Sequence, residues 1–200
     1  MSVAVAIATA NPGKLKEIRA IFTDSLFELI DASAFPGWVP PPEDSELYLQ
    51  NAIAKAQSLA VLAGMPAIAD DSGIEADALG GRPGVRSARY AGPDASDEEN
   101  RSLLLDSLEH VPDAERTGRF RCVAVCVTPS GGHAVEEATV EGRIIRTPRG
   151  RMGFGYDPIF VPDGFDRTTA EMEPSEKDAI SHRGKAFRAL LPAMRRLLDR

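Results

Sequence analysis

The run Ala67-Ile68-Ala69-Asp70-Asp71-Ser72-Gly73 ends an apolar stretch on two adjacent carboxylates, a hydroxyl and a glycine. Carboxylates accept protons and coordinate hard cations, so a pair at a strand end is a candidate for either task. Successive strand side chains point to opposite faces. Asp70 and Asp71 therefore reach one ligand together only if the strand ends there and the backbone turns. Ser72-Gly73 predicts such a turn. The plainer reading is a solvated acidic turn, the commoner use of acids at this position.

A second segment has the same grammar. Ala4 to Thr9 is a β-prone run that breaks at Ala10-Asn11-Pro12-Gly13-Lys14, after which Leu15, Ile18, Ile21 and Phe22 recur at helical spacing. Asn11 is a natural N-cap, and Pro12 fits the first helical position, where its missing N–H costs nothing. A helix N-terminus after a strand offers free N–H groups and the positive end of a dipole, and Lys14 adds a full charge. Phosphate is the matching guest. The loop is not a Walker A sequence, because Ala8 stands at the first glycine and Leu15 at the Ser/Thr position.

In the third segment, Gly153-Phe154-Gly155-Tyr156-Asp157-Pro158 sets two aromatics around a glycine just before Ile159-Phe160-Val161. That offers a flat surface with little backbone bulk, suited to a nucleobase. A core aromatic pair in a tight turn is the alternative. Farther on come Lys177, His182 and Arg183; planar arginine donors match carbonyl and phosphate oxygens, whereas lysine acts as a mobile point charge. On one uninterrupted helix, position 177 lies about 140° from 182 and about 120° the other way from 183, so the trio cannot share a face. A helix beginning after Lys177, with Ser175 and Asp178 as a capping box, removes the conflict; otherwise only part of the trio meets a ligand.

The elements that position these groups read as α/β. Phe27 to Ala32 is a predicted strand, Ser45 to Ala63 a long helix stopped by Gly64 and Pro66, Gly80 to Gly92 a long loop, and Asp97 to Val111 a helix. Arg119–Val127 and His133–Arg146 bracket Pro129-Ser130-Gly131-Gly132 as a hairpin. A last helix runs from about Ser175 to Asp199, bent or interrupted at Pro192. Cys122 and Cys126 share a strand face four residues apart, too far for a disulfide, and read as small buried hydrophobes. Without repeats or linkers, residues 1–200 are expected to form one domain on an elongated mixed sheet.

Composition limits the partners. With 30 acidic and 23 basic residues the net charge is −7, which excludes a broad basic footprint for nucleic acid. No stretch approaches the ~20 apolar residues that span a bilayer, and the N-terminus lacks a basic, apolar leader, so the expected setting is cytoplasmic, without membrane contact. A small anionic substrate would draw on Lys14, Lys55, Lys177 and Arg183.

Taken together, Thr9-Ala10-Asn11-Pro12-Gly13-Lys14, Asn51-Ala52-Ile53-Ala54-Lys55-Ala56, Ala69 to Gly73, Gly153 to Pro158 and Ser181-His182-Arg183-Gly184 resemble the inosine/xanthosine triphosphate pyrophosphatases, enzymes that clear noncanonical purine nucleotides. The matches fall in order across nearly the whole chain. The resemblance implies two lobes with the nucleotide in a central cleft, a homodimer, Mg2+ as cofactor, and hydrolysis of inosine, deoxyinosine and xanthosine triphosphates to the monophosphate and pyrophosphate. It also implies roles: Asp71 as general base and metal ligand, supported by Asp70; Glu43 as the second metal ligand; Thr9, Ala10, Asn11, Pro12, Gly13, Lys14 and Lys55 at the phosphates; and Ser72 as a donor to the substrate. Lys177, His182 and Arg183 would approach the base or sugar, with Phe154, Gly155, Tyr156 and Asp157 supplying the stacking segment.

This sequence departs from the family pattern before the long helix, where Leu47-Tyr48-Leu49-Gln50 replaces an expected Thr-Phe and acidic pair. Gln50 removes a charge, and Glu46 competes with Glu43 as a ligand. Two other readings stand beside this one. A related pyrophosphatase for modified pyrimidine nucleotides would keep the acids and change the base pocket, and a nucleotide sensor would bind without turnover.

Overall fold

A computed structural model describes residues 2–23 and 25–199. The chain runs β1 (Val3–Ile7), α1 (Pro12–Phe22), β2 (Phe27–Asp31), α2 (Tyr48–Ala63), β3 (Ala67–Ala76), α3 (Asp97–Ser107), β4 (Thr117–Val127), β5 (His133–Ile144), β6 (Phe160–Pro162), α4 (Pro174–Ile180) and α5 (His182–Leu198), with short 3₁₀ turns between them. The strands form one mixed sheet in the order β2-β1-β3-β4-β5-β6. β1 pairs in parallel with β2 and β3, and β5 pairs antiparallel with β6. The predicted α/β class is the observed one.

Residues group into two compact units, 1–71 with 122–138 and 183–200, and 72–121 with 139–182. β3, β4 and β5 each contribute residues to both. In the first unit, Val5 and Ile7 of β1, Ile18 and Phe22 of α1, Ile68, Cys122 and Cys126 close a core with Phe187, Leu190 and Met194 of α5. In the second, Ile74, Leu104, Leu108, Phe120, Ile144, Tyr156 and Phe160 do the same. Both cysteines are free and buried, and burial pushes the Cys126 thiol up to about 12. Among the described residues no helix is long and apolar enough to cross a membrane.

Several local expectations change. The turn expected at Ser72-Gly73 does not form, and β3 continues to Ala76. Ile74 and Ala76, just beyond the acids, are fully buried, and the backbone N–H groups of Ile74 and Ala76 donate to Ser87 Oγ (2.9 Å) and to the Arg82 carbonyl (3.1 Å). An apolar continuation with hydrogen-bond partners keeps the chain extended. α2 begins at Tyr48 rather than Ser45, because Asn51 holds the Ser45 backbone at both ends: its Oδ1 accepts from Ser45 N (3.2 Å) and its Nδ2 donates to Ser45 O (3.0 Å). α2 ends on Gly64 in the left-handed conformation, as the sequence predicts. The segment 80–92 is not an open loop but carries a 3₁₀ turn over Gly84–Arg89, and α3 stops at Ser107, four residues early.

The C-terminal helix is two helices. Ser181, with ψ 152°, is extended and separates α4 from α5. Lys177 thus lies on α4 and His182 and Arg183 open α5, which removes the facing conflict by a different route from the predicted one. The Ser175–Asp178 capping box is absent; Glu173 occupies the N-cap position without a side-chain bond, and Pro174 starts the helix. Pro192 lies inside α5 without ending it.

Candidate active site

β3 stays extended through both acids, and Asp70 and Asp71 have different nearest partners, although the Lys14 charge acts on both. Asp70 Oδ2 lies 3.0 Å from Lys14 Nζ, 3.2 Å from Arg183 Nη2, and 3.9 Å from Cys122 Sγ. Lys14 reaches it from the first turn of α1, where Asn11 Oδ1 caps the helix by accepting from Lys14 N at 3.0 Å. Thr9 Oγ1 accepts from Asn11 N at 3.2 Å and shapes the loop, whose residues Ala10, Asn11 and Pro12 are exposed. The strand-loop-helix expected for phosphate is therefore formed.

Asp71 meets another set. Asn51 Nδ2 donates to its Oδ2 at 3.0 Å, and Lys55 Nζ stands 3.7 Å from its Oδ1 while also hydrogen-bonding Glu43. Asn51 and Lys55 are one helical turn apart on α2, so a single face of that helix carries both. Burial raises the Asp71 carboxyl above the usual aspartate range; Lys55 and Lys14 pull it down, Glu43 pushes it up and Asn51 lowers it. For Lys55, burial works against the ammonium, yet Asp71, Glu43 and Asp70 hold its pKa above the ordinary lysine value. A buried carboxylate raised above the usual aspartate range and beside cations can take a proton from water and face an anionic substrate.

Arg183, 2% exposed, donates from Nη1 to Glu17 Oε2 (2.5 Å) and from Nε (3.3 Å) and Nη2 (3.2 Å) to Asp70. Its guanidinium, expected at a base edge, thus clamps α1 to β3. Burial works against its charge, but Asp70 and Glu17 hold the proton on. Glu17 was invisible to motif reading, since a glutamate inside an amphipathic helix reads as solvated. Its spacing, three residues after Lys14 and four before Ile21 on α1, is the signal that could have marked it.

A separate cluster lies in the second unit. Buried Asp157 accepts from Phe154 N (2.8 Å), Thr169 Oγ1 (2.8 Å) and Lys177 Nζ (2.5 Å), while that ammonium sits 5.0 Å from the Phe154 ring centroid. Gly153 has φ +77°, and a Cβ there would come 2.1 Å from Asp157 Oδ2, so only glycine lets the loop close over the carboxylate. Gly155 is pinned from α3: its N–H donates to Asp97 at 2.7 Å and its carbonyl accepts from Arg101 at 2.7 Å. His182 stacks on Phe120 with centroids 4.7 Å apart and planes 8° from parallel. Tyr156 takes the plainer role: 5% exposed, it donates to the Ser87 carbonyl at 2.8 Å within the core. Phe154 is half-buried, with the Lys177 ammonium over its ring.

With this geometry in view, the comparisons are specific. The model of the Ham1 family matches residues 5–193. The chain belongs to the Ham1 family. A dITP/XTP pyrophosphatase of Cutibacterium acnes is 48% identical over 194 residues, 95% of each chain, and that of Streptomyces avermitilis is 45% identical over 194 residues, 96% of this chain and 97% of the other. Among solved structures, a HAM1 protein from Coxiella burnetii superposes with TM-score 0.87 at 38% identity, covering 97% of this chain and 99% of its own. A Mycobacterium abscessus nucleoside-triphosphatase / dITP/XTP pyrophosphatase gives TM-score 0.76 at 43% identity over 94% and 99%.

In this Ham1 chain the donors suit a hard cation. Glu43 and Asp71 already share one positive charge, Lys55 Nζ, so a two-carboxylate oxygen set is in place; among the described residues no group of three acids, histidines or cysteines converges. Magnesium characteristically takes one or two carboxylates and completes its shell with water and substrate phosphate. Gln50, the departure from the expected pattern, accepts from Ser45 Oγ at 2.6 Å and serves the α2 entry, while Glu46 is exposed in the turn before it.

Proposed function

We propose that this chain hydrolyses noncanonical purine nucleoside triphosphates, inosine, deoxyinosine and xanthosine triphosphate, to the monophosphate and pyrophosphate. The observation that carries the reading is the buried Asp71, raised by desolvation and flanked by Lys55 and Lys14. Family membership and the relatives' activities support it. Asp71 takes the proton of the attacking water as the α–β anhydride breaks, and the electron pair of that bond leaves with pyrophosphate. Lys14 and the amides of the Asn11–Gly13 loop hold phosphate oxygens, with Lys55 and Ser72 beside them. Mg2+, held by Glu43 and Asp71, would neutralise phosphate charge and acidify the water.

Base recognition is assigned to the second cluster. Hypoxanthine and xanthine carry an acceptor oxygen where adenine carries an amino donor, so a Lys177 or backbone donor aimed there leaves adenine with donor against donor. Phe154 stacks, and Asp157 and His182 hold the neighbouring groups in place. The reading treats residues 1–200 as one enzyme domain, acting as a cytoplasmic homodimer.

Its test is pyrophosphate release in Mg2+ across a panel of nucleoside triphosphates. Inosine and xanthosine triphosphates turning over far faster than adenosine, guanosine or modified pyrimidine triphosphates supports it. Tight binding without turnover would identify a sensor, and faster pyrimidine cleavage would move the specificity.

A further inference from the structure

Away from both clusters, one depression in the second unit gathers positive charge in a chain of net charge −7. Arg116, Arg143, Arg146 and Arg149 line a cavity of about 390 Å³ with only Asp113 and Asp166 as acids. That volume falls in the range of small-molecule sites, about 300–1,000 Å³.

Arg116 is 2% exposed, donating from Nε to the Ile144 carbonyl (2.8 Å) and from Nη1 to the Leu108 carbonyl (2.6 Å). Among the described residues its side chain makes no ion pair and no hydrogen bond beyond these two, and its unbonded Nη2 is left accessible. Burial, aided by the charge of Arg146, pulls its pKa below the usual arginine value, against a smaller opposing effect of Asp113. A largely buried guanidinium whose direct partners are carbonyls has no carboxylate within ion-pair reach, only the smaller effect of Asp113.

The other arginines differ in how far they are committed. Arg146 donates to Asp113 (2.7 Å) and to the Glu109 and Val111 carbonyls (2.9 and 2.8 Å), which fixes it at the rim. Arg149 donates to the Asp166 carbonyl (2.8 Å) and stands 3.6 Å from Glu171. Arg143 is exposed and makes no hydrogen bond or ion pair among the described residues.

We propose that this depression binds a small phosphate-bearing anion, with Arg116 as the fixed donor and Arg143 and Arg149 closing on the ligand's oxygens. Guanidinium forks match phosphate oxygens, and charge assistance makes such bonds strong. The small volume of the depression and the net negative charge of the chain favour a diphosphate-sized guest over a nucleic-acid strand. The inference is independent of the hydrolysis proposed above.

The experiment is isothermal titration of the full chain with inorganic pyrophosphate, without divalent cations, using wild type, Lys14→Ala, Arg143→Ala and Arg143→Ala/Arg149→Ala. The expected result is a binding event that survives Lys14→Ala and weakens by about tenfold or more in the double variant, with Arg143→Ala intermediate. Melting of the ligand-free variants checks that each is folded. Orthophosphate and a nucleoside monophosphate as titrants separate an inorganic ligand from a nucleotide. Equal affinity in the double variant overturns the site, as does complete loss of binding in Lys14→Ala. Arginine-dependent binding of an oligonucleotide but not of pyrophosphate overturns it too, as does a change of oligomeric state as the only effect of the arginine variants.

Discussion

The Asp70–Asp71 cluster and the Asp157 cluster both bury lysine against aspartate, yet they are built for different work. Around β3 the charges form a network: Arg183 and Lys14 on Asp70, Lys55 on Asp71 and Glu43. Around Asp157 one carboxylate collects one ammonium, one hydroxyl and one backbone N–H, and each partner fixes the shape of a loop. A network in which several cations share carboxylates has lysines that can exchange partners for phosphate and metal. A carboxylate held by its own loop can only hold a surface still. The function proposed above accordingly assigns the chemistry to the first cluster and selection to the second.

The largest effect expected is at Asp71. Asp71→Asn keeps the shape and loses basicity, so steady-state pyrophosphate release should fall by about 10²–10⁴-fold while circular dichroism stays native. Its pH signature has a definite sign. The folded carboxyl titrates above the unfolded one, so the folded state binds more protons in that window. Divalent-free wild type should therefore lose stability relative to Asp71→Asn as pH rises from the unfolded aspartate pKa through the folded one, and the gap should level off above it. Denaturant titrations across that range read it directly.

Next come two stability losses. Arg183→Ala removes the guanidinium that Glu17 and Asp70 share, leaving Asp70 with Lys14, and Asp157→Ala removes the carboxylate hydrogen-bonded to Lys177; each should cost up to about 3–5 kcal/mol, the scale for breaking a buried pair. Adding Glu17→Leu to Arg183→Ala should recover part of the loss, because a buried acid that has lost its guanidinium partner is removed. A Tm unchanged by Arg183→Ala would contradict the clamp. Lys14→Ala should weaken triphosphate binding by about tenfold at low salt and leave nucleoside binding alone.

The smallest effects separate the two aromatics. Tyr156→Phe should cost about 1 kcal/mol by orphaning the Ser87 carbonyl, without moving KM. Phe154→Leu should raise KM with little change in Tm. The opposite pattern would exchange their roles.

Much of this was legible in the chain. Asn11, Pro12 and Lys14 declared their strand-loop-helix because capping chemistry is local. The end of β3 did not, since its continuation depends on Ile74 and Ala76 finding a core in residues remote in sequence. The break at Ser181 was felt only as a conflict of helical angles. Glu17, Asn51 and Thr169 act through side-chain partners 166, 20 and 12 positions away, a separation no spacing rule covers.

The division of labour is tested most directly by the ratio of kcat/KM for inosine over adenosine triphosphate in Lys14→Ala and Lys177→Met, since that ratio reports differential transition-state binding. The account predicts that Lys14→Ala lowers both substrates alike and leaves the ratio unchanged, whereas Lys177→Met, with the ammonium removed and the stem kept, pulls the ratio toward one. A ratio that moves with Lys14 and not with Lys177 would contradict it.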